Sequence, residues 1–253
     1  MALIELKHVS KRFGSLVVLH HLNLSINAGQ CLVVIGASGT GKSVMLKHIV
    51  GLLRPDGGEV WFDGKRIDSL PERQLVPIRT RFGFLFQMGA LFDSLNVAEN
   101  IAFPVVEHTH KPREEIDTIV QTKLRQVGLP EAGPKMPAEL SGGQRKRVAL
   151  ARAIALDPEV ILYDEPTTGL DPIRSDVINE LIIKLQRELK VTSIVVTHDM
   201  NSAFKIADRI VMLHEGRIIF DGTPDEIRRS EQDVVKQFVQ GEASEKELAN
   251  LKL

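Results

Sequence analysis

An α/β fold with a largely parallel central sheet is predicted by two observations. Short apolar β-type runs alternate with longer helical patterns through most of the 253 residues, the order expected of strands joined by crossover helices. Runs such as 31–35 and 160–163 carry no polar alternation, as expected of strands covered on both faces. A chain of this length can bury a substantial core without disulfides or a metal staple.

The elements follow in order. Residues 3–9 and 16–26 alternate apolar and polar side chains on either side of Phe13-Gly14, and residues 59–63 add a short β-like run after Gly57-Gly58. This predicts an antiparallel β layer attached to one side of the core. The run 31–35, bounded by Gly29 and Gly36, reads as a buried central strand, and helical spacing begins near Lys42. Further strands are expected at 82–86, 160–163, 193–196 and 210–213. Residues 88–140 are less strand-like and include a charged helical stretch at 112–127, so a helical sub-domain over about 88–158 is expected. Within it, residues 145–156 are strongly helical and end at Asp157-Pro158. Val177, Ile178, Leu181, Ile182, Leu185 and Leu189 share one helical face and should pack on the sheet. After Pro224 the spacing is helical again, with Val234, Val235, Phe238 and Val239 on one side. With no repeat and no Gly/Ser- or Pro-rich linker, residues 1–240 read as one domain and 241–253 as a polar tail. The segment 230–253 is expected to add dimer or partner contacts.

Composition narrows the function. Lys plus Arg number 32 and Asp plus Glu 33, giving a net charge of −1, with 43% hydrophobic and 26% charged residues. That is the profile of an ordinary globular chain. Near-neutral charge and 5% aromatics argue against a large nucleic-acid face. Apolar runs stay far below the roughly 18 residues that span a bilayer. Residues 1–10 lack the features of a secretory leader, and the lone Cys31 points to a reducing cytoplasm.

Three motifs carry chemistry. Gly36-Ala37-Ser38-Gly39-Thr40-Gly41-Lys42-Ser43 follows a buried strand and opens a helix, the context that GxxxxGK[ST] requires. Glycines let the backbone curl so that N–H groups face phosphate oxygens, and the helix N-terminus adds favourable potential. Lys42 can reach the β- and γ-phosphates, and Ser43 can hold Mg²⁺. At the end of an apolar strand, Asp164 is placed to hold Mg²⁺ through a water, and the adjacent Glu165 to orient or deprotonate an attacking water. Gln87 and His198 close two further strands and fall on the same ligand edge. The pair His20-His21, together with His108 and His110, has no accompanying Cys or carboxylate cluster, and the remaining histidines are read as solvated surface. Leu140-Ser141-Gly142-Gly143-Gln144 precedes a helix, with Ser141 a good N-cap and the glycines permitting close approach of an anion.

Taken in order, the phosphate loop, Gln87, Leu140 to Gln144, the strand ending in Asp164-Glu165, Gly169-Leu170-Asp171 and His198 resemble the motif set of ABC ATPases, over essentially the whole chain. The resemblance implies a P-loop NTPase (RecA-like) core with an N-terminal antiparallel β layer and a helical sub-domain. It also implies ATP and Mg²⁺ as cofactors and a head-to-tail homodimer. There, Ser141 and Gly143, flanked by Gly142 and Gln144, would complete the ATP site formed by Lys42, Ser43, Asp164 and Glu165 of the other copy. Phe13, with Val18 nearby, takes the adenine-stacking position, where many members have Tyr. Asp171 would line the dimer contact. Ser43, Gln87 and Asp164 form the implied Mg²⁺ set, and Glu165, His198 and Gln87 the implied hydrolytic set.

Three strings, Met88-Gly-Ala-Leu-Phe-Asp-Ser-Leu-Asn-Val-Ala-Glu-Asn-Ile-Ala-Phe-Pro104, Glu165-Pro-Thr-Thr-Gly-Leu-Asp-Pro-Ile173 and Thr192-Ser-Ile-Val-Val-Thr-His-Asp-Met200, resemble the ATPase subunits of MCE-linked lipid transporters, the Mla class. That resemblance implies a peripheral subunit on the cytoplasmic face of the bacterial inner membrane, driving phospholipid movement between envelope membranes. Its implied partners are an integral membrane permease docking near Gln87 to Pro104, where Leu91, Phe92 and Leu95 suit a groove, and an MCE-domain protein. Neighbouring importer and exporter ATPases share much of each string, so another ABC importer or exporter is the alternative. A soluble ABC ATPase acting on ribosomes or DNA loses ground, because the chain carries one set of motifs and a compact insertion. A non-hydrolysing switch is disfavoured by the presence of Glu165, Gln87 and His198.

Overall fold

The computed structural model describes residues 2–242. Its strands are β1 (Ala2–Phe13), β2 (Leu16–Asn27), β3 (Cys31–Ile35), β4 (Gly57–Phe62), β5 (Lys65–Arg66), β6 (Phe82–Leu85), β7 (Val160–Asp164), β8 (Thr192–Val196), β9 (Arg209–His214) and β10 (Arg217–Gly222). Its α-helices are α1 (Lys42–Ile49), α2 (Glu72–Arg79), α3 (Val97–His108), α4 (Arg113–Gln126), α5 (Gly142–Ala153), α6 (Pro172–Leu189), α7 (Met200–Ile206), α8 (Pro224–Arg228) and α9 (Asp233–Gln240).

The larger sheet has the order β10-β9-β3-β8-β7-β6. Within it β3 pairs in parallel with β8 and β9, and β7 in parallel with β6 and β8. All five residues of β3 are buried, and side-chain alternation divides them between the two faces. Cys31, Val33 and Ile35 join the core under α3, α4, α5 and α6, whereas Leu32 and Val34 join the core beneath α1 and the smaller sheet. Two apolar faces explain the missing alternation in the sequence.

The smaller sheet, β2-β1-β4-β5, is antiparallel. Its apolar spacing is interrupted twice, at Leu6 to Val9 in β1 and at Leu19 to Leu22 in β2, and each break holds a histidine at positive φ, His8 at 53° and His21 at 49°. Leu6 pairs with Leu24 and Val9 with Leu22, then Lys11 with Leu19. A bulge in one strand is thus followed by a bulge in the other, which keeps the apolar residues on the core face.

The structure departs from the sequence pattern at several positions. Val177 is exposed, since the buried face of α6 is formed by Ile178, Leu181, Ile182 and Leu185. Val234 is also exposed, while Val235 is buried and Phe238 and Val239 pack against the core, so this face of α9 is used within the chain. His48 is buried in α1 rather than solvated, its Nδ1 2.8 Å from the Val44 carbonyl, and burial pushes its imidazole below the usual range. His20 is half-buried against His21 and Arg217. Residues 243–253, most of the expected tail, lie outside the described residues. Strand β10 was not foreseen; Glu215 and Gly216, at φ 45° and 73°, form the two-residue turn that folds it back on β9, a geometry that requires positive φ at both positions.

Candidate nucleotide site

The carboxyl ends of the parallel strands bring the phosphate loop, Gln87, Glu165 and His198 to one edge of the sheet. Val34 of β3 and Asp164 of β7 both pair with Val196 of β8, and Leu85 of β6 pairs with Tyr163. The residues that follow these positions therefore emerge at nearly one level.

The phosphate loop turns on Gly36, Gly39 and Gly41, with φ of 148°, 81° and 100°. A β-carbon on Gly36 would lie 2.2 Å from the Leu213 carbonyl oxygen, and one on Gly41 2.9 Å from the Val18 carbonyl oxygen. The loop is thus held close to β9 and β2 at points where only hydrogen fits. Helix α1 starts at Lys42 with Gly41 as its N-cap and no side-chain cap, leaving its first N–H groups for an anion. Gly36→Ala is expected to lower stability by about 1–3 kcal/mol and to weaken nucleotide binding. A denaturant titration and a binding titration would check this, and wild-type values in both would contradict the cradle geometry.

Lys42 is buried, and its Nζ donates to the carbonyls of Gly36 at 2.7 Å and Ala37 at 2.9 Å. Burial pulls its ammonium below the usual range, opposed by the charges of Glu165 and Asp164. Ser43 Oγ donates to Asp164 Oδ1 at 2.9 Å. Burial raises the Asp164 carboxyl, and that hydrogen bond works against the rise. A hydroxyl and a carboxylate meeting beside the phosphate loop are hard oxygen donors of the kind Mg²⁺ accepts.

Glu165 follows β7 at φ 51°. Its carboxylate oxygen Oε2 lies 2.9 Å from His198 Nδ1 and accepts a hydrogen bond from Thr168 Oγ1 at 3.2 Å. Thr168 was not foreseen in the sequence, where nothing distinguishes it from a turn residue. A cleft of about 420 Å³ brings together Phe13, Val18, Ser38, Gly39, Gly41, Lys42, Ser43, Gln87, Glu165 and His198, with Val44 as an additional wall. Ala37 and Thr40 stay within the loop's own turn, the Thr40 hydroxyl donating to the Ala37 carbonyl at 2.9 Å.

The remaining candidates form a second group. Ser141 caps α5 in a reciprocal box with Gln144, accepting from the Gln144 N–H at 3.3 Å while Gln144 Oε1 accepts from the Ser141 N–H at 2.9 Å. Beside this helix end, a β-carbon on Gly142 would lie 3.7 Å from Leu170 and one on Gly143 3.6 Å from Arg174. Asp171 caps α6, accepting from the Arg174 N–H at 2.9 Å. None of Ser141, Gly142, Gly143, Gln144 and Asp171 lines the cleft of its own chain.

A separate apolar groove of about 530 Å³ lies between α2, β6 and α3, lined by Val76, Phe84, Phe86, Phe92, Phe103 and Pro104 among others. Phe84 stacks on Phe86 at 4.2 Å, and Phe92 meets Phe103 at 4.7 Å. Of the three apolar residues expected to form a groove, Phe92 lines it; Leu91 packs on the core and Leu95 is half-buried. Phe86 lies just before the expected docking segment 87–104 and Phe103 inside it without being singled out; one follows a strand and the other lies in a helix, and only the fold makes them neighbours.

The chain is similar to known proteins. A family model described as "ABC transporter" matches residues 19–168. The intermembrane phospholipid transport system ATP-binding protein MlaF of Haemophilus influenzae is 46% identical over 241 residues, covering 95% of this chain and 91% of that protein. The probable ribonucleotide transport ATP-binding protein mkl of Mycobacterium leprae is 45% identical over 238 residues, covering 94% of this chain and 69% of that protein. Among solved structures, the ATP-binding cassette MJ0796, in a dimeric post-hydrolysis state bound to ADP and Pi, matches with a TM-score of 0.81 at 35% identity, over 87% of this chain and 98% of that one.

Proposed function

Because this chain belongs to the ABC transporter family and is an ATPase of that family, we propose that it is the ATP-hydrolysing subunit of a membrane transporter that moves phospholipids between bacterial envelope membranes. One observation carries the mechanism: the chain's own cleft gathers Lys42, Ser43, Gln87, Glu165 and His198, whereas the Ser141 helix end lies outside it. Such a half-site is completed by a second copy packed head to tail, which supplies Ser141, Gly142, Gly143 and Gln144 to the γ-phosphate, with Asp171 at the contact. The dimeric state of the related cassette supports this reading.

Within the site, Phe13 offers its ring to the adenine and Val18 packs beside it. The loop from Gly36 to Ser43, including Ala37, Ser38, Gly39, Thr40 and Gly41, wraps the phosphates, and Lys42 draws charge from the β- and γ-phosphates. Ser43, Gln87 and Asp164 would hold Mg²⁺, which supplies charge neutralisation for the phosphoryl group. Glu165 takes the proton of the attacking water, while His198 and Thr168 hold its carboxylate in place. Residues 1–240 form one domain in this reading, with 88–158 as its helical lobe.

Phospholipid cargo is supported by the likeness to the MlaF relatives at 46% and 39% identity. No helix of the described residues is long and apolar enough to cross a membrane, so coupling requires another subunit, and the Phe86–Phe103 groove fits an apolar segment of an integral permease. The chain then sits at the cytoplasmic face of the inner membrane, in a complex with a permease and an MCE-domain protein and without nucleic acid.

Placing a charge in the groove, as Phe86→Asp or Phe103→Asp, is expected to leave ATP hydrolysis by the purified chain within about twofold and to abolish co-purification with the membrane subunit. Retained co-purification would remove the groove from the interface. Phospholipid recovered with the wild-type complex, and transferred between vesicles only with ATP, is the expected result for the cargo. ATP-dependent transport of ribonucleotides without lipid transfer would overturn it.

A further inference from the structure

Glu165 is held in a backbone conformation that does not suit it. At φ 51° it occupies the left-handed region, where a residue other than Gly, Asn or Asp is strained, and such strain persists only where neighbours over-determine the backbone. Two of those constraints are local to the sheet edge and the turn: the Glu165 N–H donates to the Val196 carbonyl at 2.9 Å, and the Thr168 N–H donates to the Glu165 carbonyl at 3.3 Å.

A third constraint comes from a distant part of the chain. Lys146, in the second turn of α5, is 7% exposed, and its Nζ donates to the carbonyls of Glu165 at 3.2 Å, Pro166 at 2.7 Å and Thr168 at 2.7 Å. Three acceptors use all three N–H bonds of an ammonium. Burial pushes this ammonium down to about 8, with the Glu165 charge pulling the other way. A buried cation spent on backbone carbonyls is costly unless the shape it holds is needed. Any long apolar side chain would fill the same volume, so packing alone gives no reason for a cation here.

We propose that Lys146 is a positioning residue for ATP hydrolysis, clamping the turn 165–168 so that the Glu165 carboxylate points into the cleft. The clamp also ties the hydrolytic residue to the helix whose first residues follow Ser141. Lys146 stands about 7.5 Å along the helix axis from Ser141, so a shift of the helix end against a second copy's nucleotide reaches the Glu165 turn through one side chain. The inference rests on the role given to Glu165 under Proposed function.

The test uses the full chain in its ATP-hydrolysing assembly, with Lys146→Met, which removes the donors at similar length, and Lys146→Gln, which keeps an uncharged donor. The expected result is a fall in kcat of at least tenfold for Lys146→Met and a smaller fall for Lys146→Gln, with KM and ATP affinity within twofold of wild type. Because Lys146 acts through Glu165, adding Lys146→Met to Glu165→Gln should lower turnover by less than twofold beyond Glu165→Gln alone. If Lys146→Met does not fold, Lys146→Gln carries the same comparisons. Unchanged kcat in the folded variants, an equal loss of kcat and ATP affinity, or a further tenfold loss in the double variant would each overturn the clamp. Glu165→Gln alone separates the two readings: if it retains full turnover, the role of Glu165 fails and the clamp with it, whereas if it is inactive and Lys146→Met is not, only the clamp fails.

Discussion

Glu165→Gln is expected to reduce ATP turnover by about 10²–10⁴-fold, the usual contribution of a positioned acid or base, while leaving ATP affinity nearly unchanged. The amide keeps the side chain's shape and can still accept the hydrogen bond from Thr168 Oγ1, seen at 3.2 Å to Oε2, but it cannot take a proton from water. With binding intact and hydrolysis blocked, the chain is expected to accumulate as an ATP-bound dimer on size exclusion, more than the wild type does. In a mixed dimer, Glu165→Gln in one copy and Ser141→Ala in the other would fall in the same composite site and leave the second site intact. Wild-type turnover of the homogeneous variant would dismiss Glu165 as the base.

Lys42→Ala is expected to weaken ATP binding by about 10- to 100-fold. A hydrogen bond to a charged group contributes about 1.5–3 kcal/mol, and each 1.4 kcal/mol is about tenfold in affinity. The loss has two sources. One is the phosphate contact itself. The other is the loop, since the same Nζ bonds the Gly36 and Ala37 carbonyls at 2.7 and 2.9 Å, and without it the cradle loses a cross-brace. Equilibrium binding of a fluorescent ATP analogue measures the change, and an affinity within twofold of wild type would contradict the placement of Lys42 at the phosphates.

Much of the phosphate side of the site was legible in the sequence because its geometry is local. Gly36, Gly39 and Gly41 declare their unusual φ by residue type, and Lys42 and Ser43 follow at fixed spacing on the first turn of α1. The box between Ser141 and Gln144 is likewise closed within four residues. Edges of elements were less legible: α5 starts at Gly142, three residues before the helical run that periodicity marks, because glycines weaken the local signal where the Ser141 cap supplies the start. At Val177 and Val234 the apolar stripes of α6 and α9 read wider than the buried faces, since an apolar residue at the rim of a stripe can point either way until the neighbouring layer is known.

Residue type at short spacing was enough for the α/β class and the buried central strands, and it marked residues 36–43 and the pair Asp164-Glu165 as candidate phosphate and acidic motifs. Which distant residues meet depends on how the layers pack. The contact of β2 with β10 set Val18, with Phe13 nearby, beside the phosphate loop, the packing of α5 against both α3 and β6 gathered scattered phenylalanines into one groove, and the approach of α5 to the end of β7 placed Lys146 on the Glu165 turn. These contacts join residues far apart in the chain, and their existence depends on the relative placement of whole layers, which local periodicity does not encode.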